Sequence, residues 1–396
     1  MASFSFDEEL NRFGTGSIKY GFHDLYGKPA DVIPLWVADM DFRSPPAVIE
    51  ALERHARQGV FGYAYAQPEY HAALADWFET RFGWKPKTEW DQPIPGVMFG
   101  VAAAIRALSR EGETVLIQQP VYYPFHEIVE ANRRALAINP LVLEDGHYSV
   151  DLEAFERQLI QENVRIFLLC SPHNPVGRVW REEELRAMGT LCLKHGVTII
   201  SDEIHADFPL FGNRQILFPT LGPDFAENCV LCTSPSKTFN LMGLQTANLL
   251  IPNPSLRKAV IEECRRFFWF GISSAALEAT TAAYRFGSEW LDALREYLEG
   301  NCLFLAGRLE EMRSGIRLTP LEGTYLAWLD CREWGRTDAE LDAFFTNQAR
   351  LWLHRGCVFG SGGSGFMRLN FACPRSTLER AMNQLERALN SKNSAK

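Results

Sequence analysis

A single lysine lies among small hydroxyl residues in the stretch TSPSKTFNLMG, which runs from Thr233 to Gly243. The apolar residues CVLC before it predict a strand, so Lys237 comes shortly after a strand end. A lysine in such a turn can simply point to water. Alternatively, its amine can be held close to a reacting carbonyl, with Ser234 and Ser236 binding an anion beside it. This stretch alone leaves both interpretations open.

Polar side chains also follow two other predicted strands. Asp202 follows VTIIS, where its carboxylate can face a cationic ring nitrogen or cap a helix. His205 comes three residues later and can equally be structural. Asn174 lies in SPHNPVGR, after RIFLLC, between two prolines that favour a plain turn. Ligands of parallel α/β sheets bind at the C-terminal ends of strands, so we expect these residues to lie close together.

Three further stretches supply candidates. PGVMFGV begins a helix, and the free amides of Val97 and Met98 can bind an anion, although an ordinary helix start looks the same. In QQPVYYPF, Tyr122 or Tyr123 can stack on a flat ring or fill the core. Arg368 lies within the apolar strand GFMRLNF, where a guanidinium needs an anionic partner, either a ligand or a structural ion-pair partner.

Taken together, these residues supply an amine, an acid, an anion-binding helix start, hydroxyls, a flat aromatic ring and an arginine. Each residue type alone has an ordinary structural explanation, so the prediction depends on their combination. That combination suits an aromatic phosphorylated aldehyde bound covalently to the lysine, which is pyridoxal 5′-phosphate.

The elements that must position these residues alternate in the middle of the chain. Helical patterns such as REEELRAMGTLCLKHG, acidic at its start and basic at its end, separate short apolar runs. Continuous apolar runs are typical of strands covered on both faces, and the alternation predicts an α/β fold with a mostly parallel sheet. The predicted strands are Thr114–Gln118, Arg165–Cys170, Val197–Ser201, Cys229–Thr233 and Ala247–Ile251.

The pattern changes after about Tyr284. SEWLDALREYLEGNCLFLAGRLEEM predicts one long amphipathic helix, and a final helix begins at Ser376. We therefore expect a large domain over residues 46–284, a smaller α+β domain over 285–396, and an N-terminal segment, 1–45, that packs with the small domain or a partner subunit. The glycine-dense GCVFGSGGSGF is interpreted as a loop shaped beside a site rather than a flexible linker.

Composition excludes several classes of protein. The chain has 396 residues with 40 basic and 49 acidic side chains, a net charge of −9 that argues against nucleic-acid binding. No run approaches the ~20 apolar residues of a membrane span, and the first residues lack the pattern of a signal peptide. Among the nine cysteines, Cys229 and Cys232 form a C-x-x-C, but no second pair lies nearby to complete a zinc site, and the nine histidines show no metal-ligand spacing. We expect reduced thiols, no metal and a cytoplasmic location.

The chain resembles the fold-type I pyridoxal-phosphate enzymes of the aspartate aminotransferase superfamily. Within it, the chain is most similar to the MalY/PatB class of cysteine-S-conjugate β-lyases, also called cystathionine β-lyases. The resemblance covers nearly the whole chain and includes VADMDF, LLCSPHNPVGRVW, SDEIH, SPSKTFN and RLNFACPRS. It implies a mostly parallel seven-stranded-type sheet in the large domain, pyridoxal 5′-phosphate as cofactor, and a homodimer with shared active sites.

The resemblance also implies roles for individual residues. Lys237 is similar to the Schiff-base lysine, and Asp202 to the acid that keeps the ring nitrogen protonated. Tyr122 resembles the aromatic residue that stacks on the ring. Asn174 resembles the residue that binds the ring hydroxyl, with His205 near the same edge.

Substrate and phosphate positions follow in the same way. Arg368 resembles the residue that binds the substrate α-carboxylate, and Asn174, Val37 and Ala38 are expected in the same substrate site. Tyr63 resembles the tyrosine that reaches the phosphate of the neighbouring subunit. The residues of this chain expected at the phosphate are Val97, Met98, Ser234 and Ser236.

Three departures from the aminotransferase pattern affect the expected specificity. Gln245 stands where aminotransferases usually have a phosphate-binding arginine, so the phosphate must depend on other donors. His205 stands where they have a tyrosine. RRFFWFGISS stands where aspartate aminotransferases supply an arginine for a second carboxylate, and its aromatic residues would favour an apolar or thioether side chain if they face the site.

The predicted activity is the cleavage of L-cystathionine or a related cysteine S-conjugate to a thiol, pyruvate and ammonia. An aminotransferase is the alternative, because transamination shares every step up to removal of the α-proton. A non-catalytic regulator is a third possibility. It is less favoured, since only about 45 residues precede the predicted large domain and they lack a helix-turn-helix pattern.

Overall fold

The largest sheet in the computed structural model, which describes residues 4–269 and 271–393, has seven strands. Ala247–Leu250 runs antiparallel to both of its neighbours, and the other adjacent pairs are parallel. The predicted α/β fold with a mostly parallel sheet is therefore confirmed. In spatial order, the strands are Asp91–Ile94, Ala247–Leu250, Cys229–Thr233, Thr198–Asp202, Val164–Cys170, Thr114–Gln119 and Ala135–Pro140.

Apolar runs form these strands because both faces of the sheet are covered. Along Cys229–Thr233, Cys229 and Leu231 belong to one hydrophobic cluster, and Val230 and Cys232 to another. The two cysteines of the C-x-x-C motif therefore lie on opposite faces, as alternation along a strand requires.

Helices cover the sheet, and their ends follow local signals in the sequence. The Asp151 side chain accepts a hydrogen bond of 2.9 Å from the Ala154 amide and so caps Leu152–Gln161. Glu182–Lys194 begins with three glutamates and ends with a lysine, as the helix dipole favours. The α-helices in the described residues span Ile18–Gly21, Pro46–Gln58, Pro68–Phe82, Val97–Leu108, Pro124–Ala131, Leu152–Gln161, Glu182–Lys194, Pro223–Glu227, Pro235–Phe239, Pro254–Arg266, Ser274–Phe286, Ser288–Met312, Asp338–Ala343 and Arg375–Asn393.

The predicted long helix is present as Ser288–Met312, with Leu291, Leu294, Leu298 and Leu305 among its buried side chains. An antiparallel four-stranded sheet follows it. The strands of this second sheet, in spatial order, are Arg317–Leu318, Leu326–Asp330, Phe366–Asn370 and His354–Arg355.

The N-terminal segment contacts the C-terminal part of the chain at two places. Ile33–Pro34 pairs in parallel with Leu351–Trp352. The Phe6 ring lies 5.7 Å from the Trp290 ring, which belongs to the long helix. The domain boundaries placed at residues 45 and 284 stay predictions.

The glycine-dense loop packs against the end of a central strand. The Val121 amide donates a hydrogen bond of 3.0 Å to the Phe359 carbonyl oxygen. Gly360 has φ +95°, and a Cβ at this position would lie 2.2 Å from the Gln119 side chain, so glycine is required here. The remaining short elements are the hairpin Val142–Glu144 and His147–Ser149, the 3-10 turns Thr88–Trp90, Phe218–Leu221, Met242–Leu244, Arg332–Trp334 and Gly356–Phe359, and the π-helical turn Phe344–Gln348.

In residues 4–269 and 271–393, no helix has the length and apolarity that crossing a membrane requires. The same residues contain no group of histidine, cysteine and acidic side chains arranged to hold a metal ion. Each of the nine cysteines is a free thiol.

Candidate active site

The C-terminal ends of the parallel strands meet at one cavity of about 330 Å³. Its volume is in the range of small-ligand sites. Most of the sequence-predicted site residues line it, although they come from seven separate parts of the chain. They are Val37, Ala38, Val97, Met98, Tyr122, Asn174, Asp202, His205, Ser234, Ser236, Lys237 and Arg368.

Lys237 lies in the short helix Pro235–Phe239, which begins directly after a strand. Its Nζ donates a hydrogen bond of 2.5 Å to the Ala38 carbonyl oxygen. Burial lowers the pKa of Lys237 to about 8, and Arg368 acts in the same direction, while Asp39 and Asp202 oppose the change. The amine can therefore lose its proton close to neutral pH, which a general base requires.

Asp202 is the last residue of its strand and is only 4 % exposed. Its Oδ1 accepts a hydrogen bond of 3.1 Å from the Ile204 amide. Burial raises the pKa of Asp202 to about 7, against the effects of this hydrogen bond and of Lys237. A cationic group in the cavity, such as a protonated ring nitrogen, would stabilise its ionised form.

Arg368 is 3 % exposed in the middle of the strand Phe366–Asn370. It donates hydrogen bonds of 3.0 Å to Asn174 Oδ1 and 2.8 Å to the Trp36 carbonyl oxygen, and its guanidinium lies 4.8 Å from the centre of the Phe359 ring. Burial lowers the pKa of Arg368 to about 10. Since these hydrogen-bond acceptors are neutral, the guanidinium is suited to bind a carboxylate from a ligand.

The cavity wall also contains a helix start and hydroxyl groups. Val97 begins the helix Val97–Leu108. Ser234 Oγ accepts a hydrogen bond of 3.0 Å from the Ser236 amide and lies 2.8 Å from Ser236 Oγ. Gln245 also lines the cavity, with a positive φ of 52°. In the described part of the chain, the lysine and arginine side chains on the cavity wall are Lys237 and Arg368, so no arginine stands at the position of Gln245.

Tyr122 and His205 are neutral groups on the wall. Burial raises the pKa of Tyr122 to about 12. Burial, together with Lys237 and Arg368, lowers the pKa of His205 well below its usual value. The buried Nδ1 of His205 has no hydrogen-bond partner among the described residues, so it is available to a bound group.

Sequence reasoning missed a ladder of stacked rings beside the cavity. The ring centres lie 4.4 Å apart for Trp352 and Trp36, 6.0 Å for Trp36 and His354, and 5.4 Å for His354 and Tyr123. Trp36, His354 and Tyr123 also line a second cavity of about 850 Å³. The two cavities therefore share a wall formed by these three rings. The sequence around Trp36 and His354 gives no signal of this arrangement.

Tyr63 lies away from this cavity and is fully exposed. In RRFFWFGISS, Phe267 and Phe268 are also exposed and do not line the cavity, and Phe270 lies outside the described residues. A Cβ at Gly271 would lie 3.5 Å from the Ala64 carbonyl oxygen, so RRFFWFGISS and the residues around Tyr63 are neighbours. They form an exposed apolar surface with Val60, Phe61, Tyr63, Tyr65, Phe267 and Phe268.

Comparison with known proteins gives a consistent result. Residues 30–385 match the family model of the class I and II aminotransferases. The chain is 39 % identical to cystathionine β-lyase PatB of Bacillus subtilis, over 97 % of this chain and 100 % of that protein. It is 36 % identical to protein MalY of Escherichia coli, over 98 % and 99 %. The crystal structure of cystalysin from Treponema denticola, which contains pyridoxal 5′-phosphate, matches with a TM-score of 0.94 and 31 % identity over 98 % of this chain and 100 % of that one.

Proposed function

The chain belongs to the class I and II aminotransferase family, and we propose that it is a pyridoxal 5′-phosphate-dependent carbon–sulfur β-lyase of the cystathionine β-lyase type. Its substrate is L-cystathionine or a related cysteine S-conjugate, and its products are a thiol, pyruvate and ammonia. One observation carries the proposal: Lys237, Asp202 and Arg368 line a single cavity at the strand ends. The 39 % identity to PatB over nearly the whole chain supports the same activity.

The residues on the cavity wall fit this cofactor. The buried carboxyl of Asp202 would pair with the ring nitrogen, Tyr122 would lie against the ring, and Asn174 with the unpartnered His205 would bind the ring hydroxyl. When bound, the cofactor supplies an aldehyde for covalent attachment and a ring that accepts the electron pair left by the departing α-proton. The groups that would hold its phosphate are the amides of Val97 and Met98 and the hydroxyls of Ser234 and Ser236.

The remaining chemistry is done by two side chains. Arg368 binds the substrate α-carboxylate and so fixes the direction of the Cα–H bond. Lys237, neutral above about pH 8, takes the α-proton onto Nζ. The Cβ–S bond then breaks with its electron pair on sulfur, and the Lys237 ammonium can return its proton to the thiolate. Val37 and Ala38 form the wall beside the substrate.

An aminotransferase is the second candidate, because proton removal by Lys237 is common to both reactions. The second cavity favours the lyase, since a cysteine conjugate carries a substituent beyond its sulfur that needs room. Purified enzyme with L-cystathionine and no keto acid distinguishes the two. Steady release of pyruvate and free thiol over many turnovers is expected. A single stoichiometric turnover that restarts only with a keto acid would instead identify an aminotransferase, and no turnover at all would favour a regulator.

We also propose a homodimer with shared sites and a cytoplasmic location. The exposed surface around Tyr63 and Phe268 supports the dimer, since such apolar surfaces commonly mark interfaces. The free thiols support a reducing compartment. Mixing a Tyr63→Ala variant with a Lys237→Ala variant tests the sharing of sites. If Tyr63 acts in the neighbouring site, each mixed dimer contains one site with both changes and one intact site, so activity returns on mixing.

A further inference from the structure

The segment Trp36–Asp41 contributes backbone hydrogen-bond acceptors to the site as well as part of its wall. Its backbone carbonyls accept hydrogen bonds from the cationic side chains of the proposed reaction. Lys237 Nζ lies 2.5 Å from the Ala38 oxygen, and Arg368 Nη2 lies 2.8 Å from the Trp36 oxygen. The position of this segment therefore sets where both side chains rest.

Four charged side chains, here called the Arg12 cluster, hold this segment: Arg12, Lys19, Asp39 and Asp41. Arg12 donates to both carboxylate oxygens of Asp39 and to Asp41 Oδ1, each at 2.8 Å. Lys19, which is completely buried, donates to Asp41 Oδ2 at 2.7 Å and to the Asp39 carbonyl oxygen at 3.0 Å. Both cations thus contact the backbone or side chains immediately after Ala38.

Asp39 also acts on Lys237 through its charge. Its negative charge favours the ammonium form of Lys237, and Asp202 acts in the same sense. Arg368 acts in the opposite sense. His205 and Tyr325, whose hydroxyl donates to the same Ala38 oxygen at 3.3 Å, are neutral, because burial lowers the pKa of His205 and raises the pKa of Tyr325. Arg12 lies 2.8 Å from Asp39 and partly offsets its charge, so Arg12 and Asp39 should influence Lys237 in opposite directions.

We propose that Asp39, held by Arg12 and backed by the buried Lys19–Asp41 pair, is a positioning residue that keeps the Lys237 amine at the Ala38 carbonyl and sets the pH range in which this amine accepts the α-proton. The inference rests on the proposed role of Lys237 as the base. It adds residues that do not line the cavity, and it is independent of whether the Cβ–S bond breaks.

The test measures exchange of the L-alanine Cα proton with D₂O, followed by proton NMR on the holoenzyme across pH. Alanine has no leaving group on Cβ, so exchange reports proton removal alone. The rate falls as the pH drops through the pKa of Lys237, because an ammonium cannot accept a proton. Asp39→Asn should move this fall to lower pH and Arg12→Gln to higher pH, each by about 0.5–1 pH unit, as for a partly screened charge.

Lys28→Met is the matched control. Lys28 lies in the same N-terminal region and forms a 2.7 Å ion pair with Asp342, and its Nζ donates to Asp342 and Thr346 rather than to the segment Trp36–Asp41. The Lys28→Met variant should lose some stability, but the pH at which its exchange rate falls should be the same as in the unaltered enzyme. A second readout uses the full chain without cofactor: the rate at which acetic anhydride labels Lys237, measured by mass spectrometry across pH, should show the same opposite shifts.

The possible results separate the two proposals. Opposite shifts for Asp39→Asn and Arg12→Gln, with none for Lys28→Met, support the inference. The inference is overturned, while the proposed activity stands, if the pH at which the exchange rate falls is unchanged in Asp39→Asn, or if it shifts in the same direction in Asp39→Asn and Arg12→Gln. If the unaltered enzyme exchanges no Cα proton and releases no pyruvate, the proposed function itself fails.

Discussion

Replacing Asp202 with asparagine should stabilise the cofactor-free protein at pH 8. Burial raises the pKa of this carboxyl from 3.8 to about 7, so the folded chain binds its proton more tightly than the unfolded chain does. Ionising it in the folded state above pH 7 therefore costs roughly 4 kcal/mol at most, since each pKa unit corresponds to about 1.4 kcal/mol. The sign follows from proton counting. Stability falls as the pH rises between about 4 and 7, because only the folded state still holds the proton.

Urea unfolding of the cofactor-free enzyme and of Asp202→Asn at pH 5 and pH 8 measures this effect. Asparagine has nearly the same shape and no charge to bury. We expect the variant to gain stability relative to the parent at pH 8, by up to the amount above, with a clearly smaller gain at pH 5. Glu203, whose pKa burial also raises to about 7, remains in both proteins, and removing the neighbouring Asp202 charge makes its ionisation easier, which adds to the gain at pH 8.

The same substitution should have the opposite effect with the cofactor. If Asp202 pairs with the ring nitrogen, asparagine should weaken cofactor binding and slow turnover by several orders of magnitude. A variant with the same stability as the parent at both pH values would refute the argument that burial makes ionisation of this carboxyl unfavourable. A variant that gains stability at pH 8 and keeps full activity would refute the pairing with the ring.

The remaining predictions concern single side chains. Lys237→Ala should abolish pyruvate release and the visible absorbance of the bound cofactor, which a spectrum and a pyruvate assay would check; full activity in this variant would contradict the whole assignment. Arg368→Met should raise KM for a cysteine thioether by about 100-fold or more, because a charged hydrogen bond to the α-carboxylate is lost, while cofactor absorbance stays. His354→Ala should lower kcat/KM more for L-cystathionine than for S-methylcysteine, because His354 lines both cavities and the longer substituent is expected to extend toward the second; equal losses for both substrates would contradict this.

The sequence predicts the central sheet and much of the cavity wall for the same physical reason. Buried strands consist of continuous apolar residues, and the polar residue at the end of such a run is easily identified in the sequence. Asp202 ends one run, Asn174 lies in the turn after another, and Lys237 follows a third. Because parallel strands end at one edge, their proximity follows from the topology.

Other parts of the site leave no such trace. Every residue has a carbonyl, so nothing in the sequence indicates that the oxygens of Trp36 and Ala38 accept hydrogen bonds from residues about 200 or more positions away. Likewise, the ring ladder joins Trp36, Tyr123 and His354 from three distant stretches, and its members resemble ordinary core residues. Such contacts depend on tertiary packing, which residue type and spacing do not encode locally.

The geometry of the two cations suggests why an N-terminal segment is needed at a site built on strand ends. Lys237 follows a strand of the seven-stranded sheet and Arg368 lies in a strand of the four-stranded sheet, yet they donate to carbonyls only two residues apart. A substrate carboxylate drawn to Arg368 competes with the Trp36 oxygen for the guanidinium, while the Ala38 oxygen competes with any other acceptor for the Lys237 amine. A displacement of this segment would therefore move Arg368, the proposed carboxylate-binding group, and Lys237, the proposed base, together. That coupling requires the segment to be held firmly, which explains why a completely buried lysine is used beside it even though burying a charge is costly.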